Sequence, residues 1–163
     1  ISLLTGFGLV MIAGHNLLDG VRSGSPLWVF LHTPGFFLPS PPHVVFSAYP
    51  LIPWLGVMAV GYGLGQIYDW SAERRKAFLW QVGVGCVVAF LALRLINVYG
   101  DPSRWGTQPS TELTVISFFN TSKYPPSLLF MLMTPGPSLL FLRAVDGRTP
   151  GFPKSAPEPT PAS

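Results

Sequence analysis

Charge is the scarcest thing in this sequence: only 10% of the 163 residues are Asp, Glu, Lys or Arg, against roughly 25% in an ordinary soluble domain. A water-exposed fold of this size would be short of polar surface, so the composition argues against the common soluble classes. Cysteine is nearly missing. Cys86 alone cannot close an intrachain disulfide or form a metal cluster, and its place inside an apolar run makes it a small packing residue. No basic stripe with interleaved aromatics is present, so the formal net charge of +3 is read through membrane topology and not as a nucleic-acid footprint. A charged leader is missing too. The chain opens at Ile1, without Met or a basic flank, already in an apolar run, so the expectation is a piece of a longer protein and not a signal peptide.

What is there instead is a series of uncharged runs separated by connections rich in the 18 prolines and 17 glycines. The organising stretch is 49–76, YPLIPWLGVMAVGYGLGQIYDWSAERRK. Its residues 51–68 carry no charge and would span roughly 27 Å as a helix, close to the hydrocarbon thickness of a bilayer. Tyr49 and Trp54 at one end and Tyr68 and Trp70 at the other stand at headgroup level, and Arg74, Arg75 and Lys76 mark the cytoplasmic end. Gly61 and Gly65 form a G-x-x-x-G frame, with Gly56 and Gly63 nearby, for close approach of another helix. The same glycines mimic a phosphate loop, but that motif needs a preceding strand, and packing is the better reading.

Three further runs read as crossings: 1–18, 78–98 and 128–142. The last is interrupted by Pro135-Gly136-Pro137 and must kink or break, which a membrane tolerates only where protein or water satisfies the freed carbonyls. The sequence thus predicts an all-α, polytopic transmembrane helix bundle of about four crossings, residues 1–142, followed by a disordered Pro-rich cytoplasmic tail, 143–163. Six Lys and Arg fall on the side of Arg74 and three on the other, which places both ends of the chain in the cytoplasm.

Few residues suggest chemistry. His15 and Asp19 are spaced i, i+4 on one helical face, as an interfacial end cap or as the lining of a polar cavity. Arg94 is the one formal charge in its run. It either snorkels to the interface or, with Asn97 at i+3, faces a pocket holding an anionic group or a carboxylate such as Asp19 or Asp101. His32 and His43 lie in the connection at 20–48, whose aromatics place part of it on the membrane surface. They are spaced by eleven positions across four prolines, with no Cys or acidic neighbour, so no metal is expected. Asn120-Thr121-Ser122 fits a glycosylation sequon by chance as readily as by design.

Five ordered blocks carry a resemblance: GHNLLDG at 14–20, LHTPGFF at 31–37, YPLIPWLGVMAVGYGLG at 49–65, LRLINVYGDP at 93–102 and FFNTSKYPPSLLFMLMTPGP at 118–137. Over residues 1–142 the chain resembles the bacterial branch of the heparan-alpha-glucosaminide N-acetyltransferase catalytic-domain family. The resemblance implies a multi-pass protein of the bacterial inner membrane that passes an acetyl group from cytosolic acetyl-CoA to an acceptor, often a sugar, on the far side. The family's proposed catalytic histidine and its neighbouring asparagine belong upstream of Ile1, so no residue here inherits that role, His15 included. The family's final helices, expected after Leu142, are replaced by the Pro-rich tail. His15, Asp19, Arg94, Asn97, Asn120 and Lys123 are the candidate pocket residues, with acetyl-CoA as donor, the bilayer as partner and no metal. The competing readings are a transporter using the broken helix as its substrate site, though no inverted repeat is visible, and a non-catalytic membrane scaffold.

Overall fold

A computed structural model describes residues 2–21, 23–40 and 43–147. The expected tail from 148 onward lies outside the described residues, as does Arg22. Among those described, helix dominates. The elements are α1 (Ser2–Gly14), extended by a 3-10 turn at His15–Leu18, then α2 (Pro26–Leu31), β1 (Gly35–Ser40) and β2 (His43–Ser47). After these come α3 (Leu51–Gly65) with a 3-10 turn at Gln66–Asp69, α4 (Ala72–Ile96), α5 (Thr111–Phe119), α6 (Leu128–Met133) and α7 (Pro135–Val145).

Three stretches are long and apolar enough to cross a membrane: Leu51–Asp69, Ala72–Ile96 and Leu128–Val145. Only 22%, 22% and 17% of their apolar windows are buried inside the protein, so most of each surface is left for lipid. Met58, Val88, Leu95 and Phe141 are among the exposed apolar side chains. Ser2–Leu18, expected as a further crossing, is apolar but shorter.

Two antiparallel helix pairs make the frame. In the first, α1 packs on α3, and glycine permits the contact. A methyl group on Gly8 would meet the Gly56 carbonyl oxygen at 2.7 Å and Ala59 Cβ at 2.9 Å, and one on Gly63 would collide with the Thr5 hydroxyl. Gly61 and Gly65, the pair singled out by spacing, have open space where a side chain would stand. In the second pair, α4 packs on α7, with Gly83 against Leu140 and Gly136 against Cys86 and Val87. Ile67, Leu79 and Leu139 form a buried apolar cluster beneath Trp70 and Phe78.

The break expected at Pro135-Gly136-Pro137 is mild. Thr134 keeps right-handed helical angles between α6 and α7, and two hydroxyls bond back to the preceding turn: Thr134 Oγ1 to the Phe130 carbonyl at 2.8 Å and Ser138 Oγ to the Thr134 carbonyl at 2.8 Å. Helix α7 continues through Arg143 to Val145, three residues past the boundary placed at 142.

The connections hold more structure than expected. β1 and β2 form an antiparallel hairpin with Gly35 opposite Ser47 and Ser40 opposite His43, a departure from an all-α chain. Phe36 pairs with Phe46 across the ladder, and their rings meet edge-on at 5.3 Å. α5 starts at Ser110, whose hydroxyl accepts the Leu113 N–H. Nine residues reach only about 14 Å, so α5 belongs to the layer of connections and does not span.

Candidate functional site

The ends of α1, α2 and α4 and the starts of α3 and α6 gather at one end of the bundle, and nearly all of the buried polar groups among the described residues lie there. Two clusters form, joined through the start of α6.

The first is built from His15, Asn16, Asp19 and His32. The 3-10 turn tightens the end of α1 and turns His15 and Asn16 inward, leaving them 2% and 8% exposed. His32, at the end of α2, is 3% exposed. Its ring stacks on Trp28 at 5.1 Å between centroids, and Trp28 is itself tied to the Val21 carbonyl. His32 Nε2 lies 2.9 Å from the His15 carbonyl oxygen and 3.7 Å from Asp19 Oδ1. The other Asp19 oxygen accepts the Asn16 amide at 2.8 Å. Neither ring nitrogen of His15 makes a well-formed hydrogen bond, although both are buried and the Pro126 carbonyl lies close by.

The second cluster is centred on Arg94, 1% exposed, which neither snorkels nor meets a carboxylate within bonding distance. Its Nε donates to the Phe118 carbonyl at 2.7 Å and Nη1 to Ser103 at 2.8 Å. Nη2 donates to Ser117 at 3.0 Å and to Asn120 at 2.7 Å. These carbonyls belong mostly to the last turn of α5, where four acceptors have no helical partner and the helix dipole is negative. Arg94 is therefore a helix cap reaching across from α4. Four of its five N–H groups are used, leaving little for an anionic donor or acceptor.

Asn97 ends α4 in the left-handed region, φ 56°, a conformation Asn accepts more readily than most residues. Its side chain clasps Trp105, donating to the Trp105 carbonyl and accepting its N–H, while the Trp105 indole donates to the Arg94 carbonyl at 2.7 Å. Asn120 contributes its carbonyl; its side chain is exposed. Lys123 is exposed, its ammonium 5.3 Å from the Tyr124 ring centre. The six candidates thus divide: His15 with Asp19, Arg94 with Asn97 and the Asn120 main chain, and Lys123 outside both.

The link between the clusters was not foreseen. Asp101 accepts the Ser103 and Ser122 N–H groups, each at 2.7 Å, and the Ser122 and Ser127 hydroxyls at 2.9 and 2.6 Å. At the start of α6, Leu128 N–H donates to Asn16 Oδ1 at 2.8 Å, Leu129 N–H to the Gly100 carbonyl at 2.9 Å and Phe130 N–H to Ser127 Oγ at 3.0 Å. The orphan donors of a helix start are thereby satisfied inside the chain. Tyr99 donates its hydroxyl to the Ala13 carbonyl, and burial together with nearby Asp19 pushes its pKa up. One sign was legible: Asp-Pro-Ser at 101–103 is a turn sequence in which Asp bonds the N–H two residues on.

The opposite end carries Arg74, Arg75, Lys76 and Arg143. Arg75 makes a two-pronged ion pair with Asp146, at 3.0 and 2.9 Å. Arg74 lies over the Trp70 ring and Arg143 over Trp80, and Lys76 and Arg143 border a shallow depression of about 420 Å³. No family model, curated protein or solved structure matches the chain.

Proposed function

We propose that this chain is part of an integral membrane acyltransferase-like protein that passes an acetyl group from acetyl-CoA to a sugar or related acceptor across the membrane. The observation that carries this reading is convergence. Four of the five sequence blocks behind the family resemblance, separated by up to a hundred residues, contribute polar groups to one end of the bundle: His15, Asn16 and Asp19; His32; Asn97, Tyr99 and Asp101; Ser122 and Ser127. A scaffold gains little from burying histidine and carboxylate side by side, because desolvated polar groups are costly unless paired.

In this reading the chain crosses the bacterial inner membrane four times, with Ser2–Leu18 as the first crossing and both ends in the cytoplasm. The His15 end faces outward and receives the acceptor. The Lys76 and Arg143 end faces the cytosol, on the side from which the phosphates of acetyl-CoA approach. Asp19 and His15 line the acceptor pocket; the catalytic base is supplied by the region that the resemblance places upstream of Ile1.

The test is acetyl transfer from labelled acetyl-CoA in membranes containing the protein at its natural length, comparing wild type with His15→Ala and Asp19→Asn at matched insertion. Transfer lost in variants that insert normally supports the pocket. Failure of the wild type on a broad panel of sugars favours transport or scaffolding. Orientation is checked separately: single cysteines at Ser71 and Ser110 should label from opposite sides.

A further inference from the structure

We propose that His15, Asp19 and His32 hold a divalent transition-metal ion at the polar end of the bundle. Each residue offers one ligand atom, and these atoms lie within 4.8 Å of one another. A tetrahedral site with metal–ligand bonds of about 2.0–2.2 Å places its donors about 3.3 Å apart. His32 Nε2 and Asp19 Oδ1, 3.7 Å apart, are already near that spacing. The remaining closure is of a size that side-chain rotation supplies.

The unpartnered imidazole is the observation that points to a ligand. His15 is 2% exposed, yet neither ring nitrogen makes a well-formed hydrogen bond, the nearby Pro126 carbonyl included, and a buried polar group left so is costly. A cation explains its lone pair directly. It also suits His32, whose Nε2 faces a carbonyl oxygen and a carboxylate oxygen: that nitrogen must carry either a proton or a positive ion. A proton on His32 Nε2, donated to the His15 carbonyl, is the alternative, and it leaves the His15 ring without a well-formed hydrogen bond; an ion serves both rings once that carbonyl, 2.9 Å away, turns aside or joins the ligand set.

The surroundings are those of a supported ligand set. Asn16 holds the other Asp19 oxygen and is fixed in turn by the Leu128 N–H, the kind of outer partner that orients a metal-bound carboxylate. Trp28 stacks on the His32 ring and sets its plane. Two imidazoles and a carboxylate select zinc-like ions; hard cations such as Mg²⁺ prefer all-oxygen sites, and copper(I) prefers sulfur. The Asp19 side chain is 22% exposed, so the ion has a way in and a fourth position open to water. None of this depends on acetyl transfer, and the readout is the metal itself.

The experiment uses the whole chain, purified from membranes in mild detergent, stripped with chelator, reloaded with Zn²⁺, Co²⁺ or Mg²⁺ and desalted. The expected result is one Zn²⁺ per chain, tetrahedral visible absorption with Co²⁺ and no retention of Mg²⁺. His15→Ala, His32→Ala and Asp19→Asn should each weaken Zn²⁺ binding by at least the roughly 10–100-fold that follows loss of an outer partner, while His43→Ala binds as wild type. Because an alanine variant can lose binding by misfolding, His15→Cys is the decisive companion: it should keep Co²⁺ and add a thiolate-to-cobalt charge-transfer band. Substoichiometric Zn²⁺ in the wild type, unchanged affinity in His15→Ala, or Co²⁺ bound to His15→Cys without that band overturns the proposal.

Discussion

The two ends of this bundle use charge in opposite ways. At the basic end Arg74 and Arg143 lay exposed guanidinium groups over Trp rings, and Arg75, half-covered, pairs with Asp146. At the polar end Arg94 is buried and spends its charge on carbonyl oxygens, and Asp101 spends its own on N–H and hydroxyl donors. The first arrangement positions a helix end relative to a boundary. The second stitches short connections onto the frame, where backbone groups would otherwise lack partners. A basic residue in an apolar helix therefore need not signal a ligand, since the dipole of a neighbouring helix is partner enough.

Removing Arg94 should break this contrast most severely. Arg94→Leu leaves the Ser103, Ser117, Phe118 and Asn120 carbonyls without their donor, and a loss of about 1–3 kcal/mol is expected for each buried acceptor left unsatisfied. Arg94→Lys should rescue little, because an ammonium lacks the planar fork that reaches carbonyls in several directions. Thermal unfolding in detergent measures both; a near-native Arg94→Lys would mean that charge alone matters there.

Next in size is the glycine contact beneath the polar end. Gly8→Ala forces a methyl group to 2.7 Å from the Gly56 oxygen, and overpacking of this kind typically costs about 1–3 kcal/mol. Gly61→Ala meets nothing within 4 Å and should be neutral or stabilising by up to about 1 kcal/mol through helix propensity. Comparing the two variants by the same unfolding assay tests which face of α3 meets α1.

That pair also shows what was legible. The spans read at 51–68 and 78–98, observed at 51–69 and 72–96, were readable because membrane length and lack of charge are local properties. The packing face was not: spacing gathers small residues on a stripe but says nothing of which stripe a distant helix will cover, and α1 chose Gly56 and Gly63. Arg94 stood out as an oddity, yet its partners are main-chain carbonyls, which carry no residue-type signal. His32 was weighed against His43, its neighbour in sequence, whereas its neighbours in space are His15 and Asp19. Only the turn from α1 into α2 brings them together.

At the basic end the expected effects are smaller. Asp146→Asn removes the acceptor of the two-pronged pair with Arg75. The loss should be modest and shrink only in part as salt is raised, since side chains 15% and 13% exposed are screened less than free surface charges. An effect independent of salt would show that Asp146 acts by packing.

The smallest effect belongs to α5, which is held differently at its two ends. At its start Glu112 accepts its own N–H and the Ser110 hydroxyl, and these bonds lower its pKa below the usual 4.5. A carboxylate lowered on folding contributes stability that is complete above its unfolded value and lost as pH falls through the folded one. Protection of the Leu113 and Thr114 amides, measured relative to the intrinsic exchange rate, should therefore fall below about pH 4.5, and Glu112→Gln should flatten that dependence. The far end is capped by Arg94, which keeps its proton throughout this range, so the Asn120 amide should stay protected while the first turn loosens. Equal acid sensitivity at both ends would mean that α5 opens as one unit, and that the Arg94 cap does not hold its last turn independently of its first.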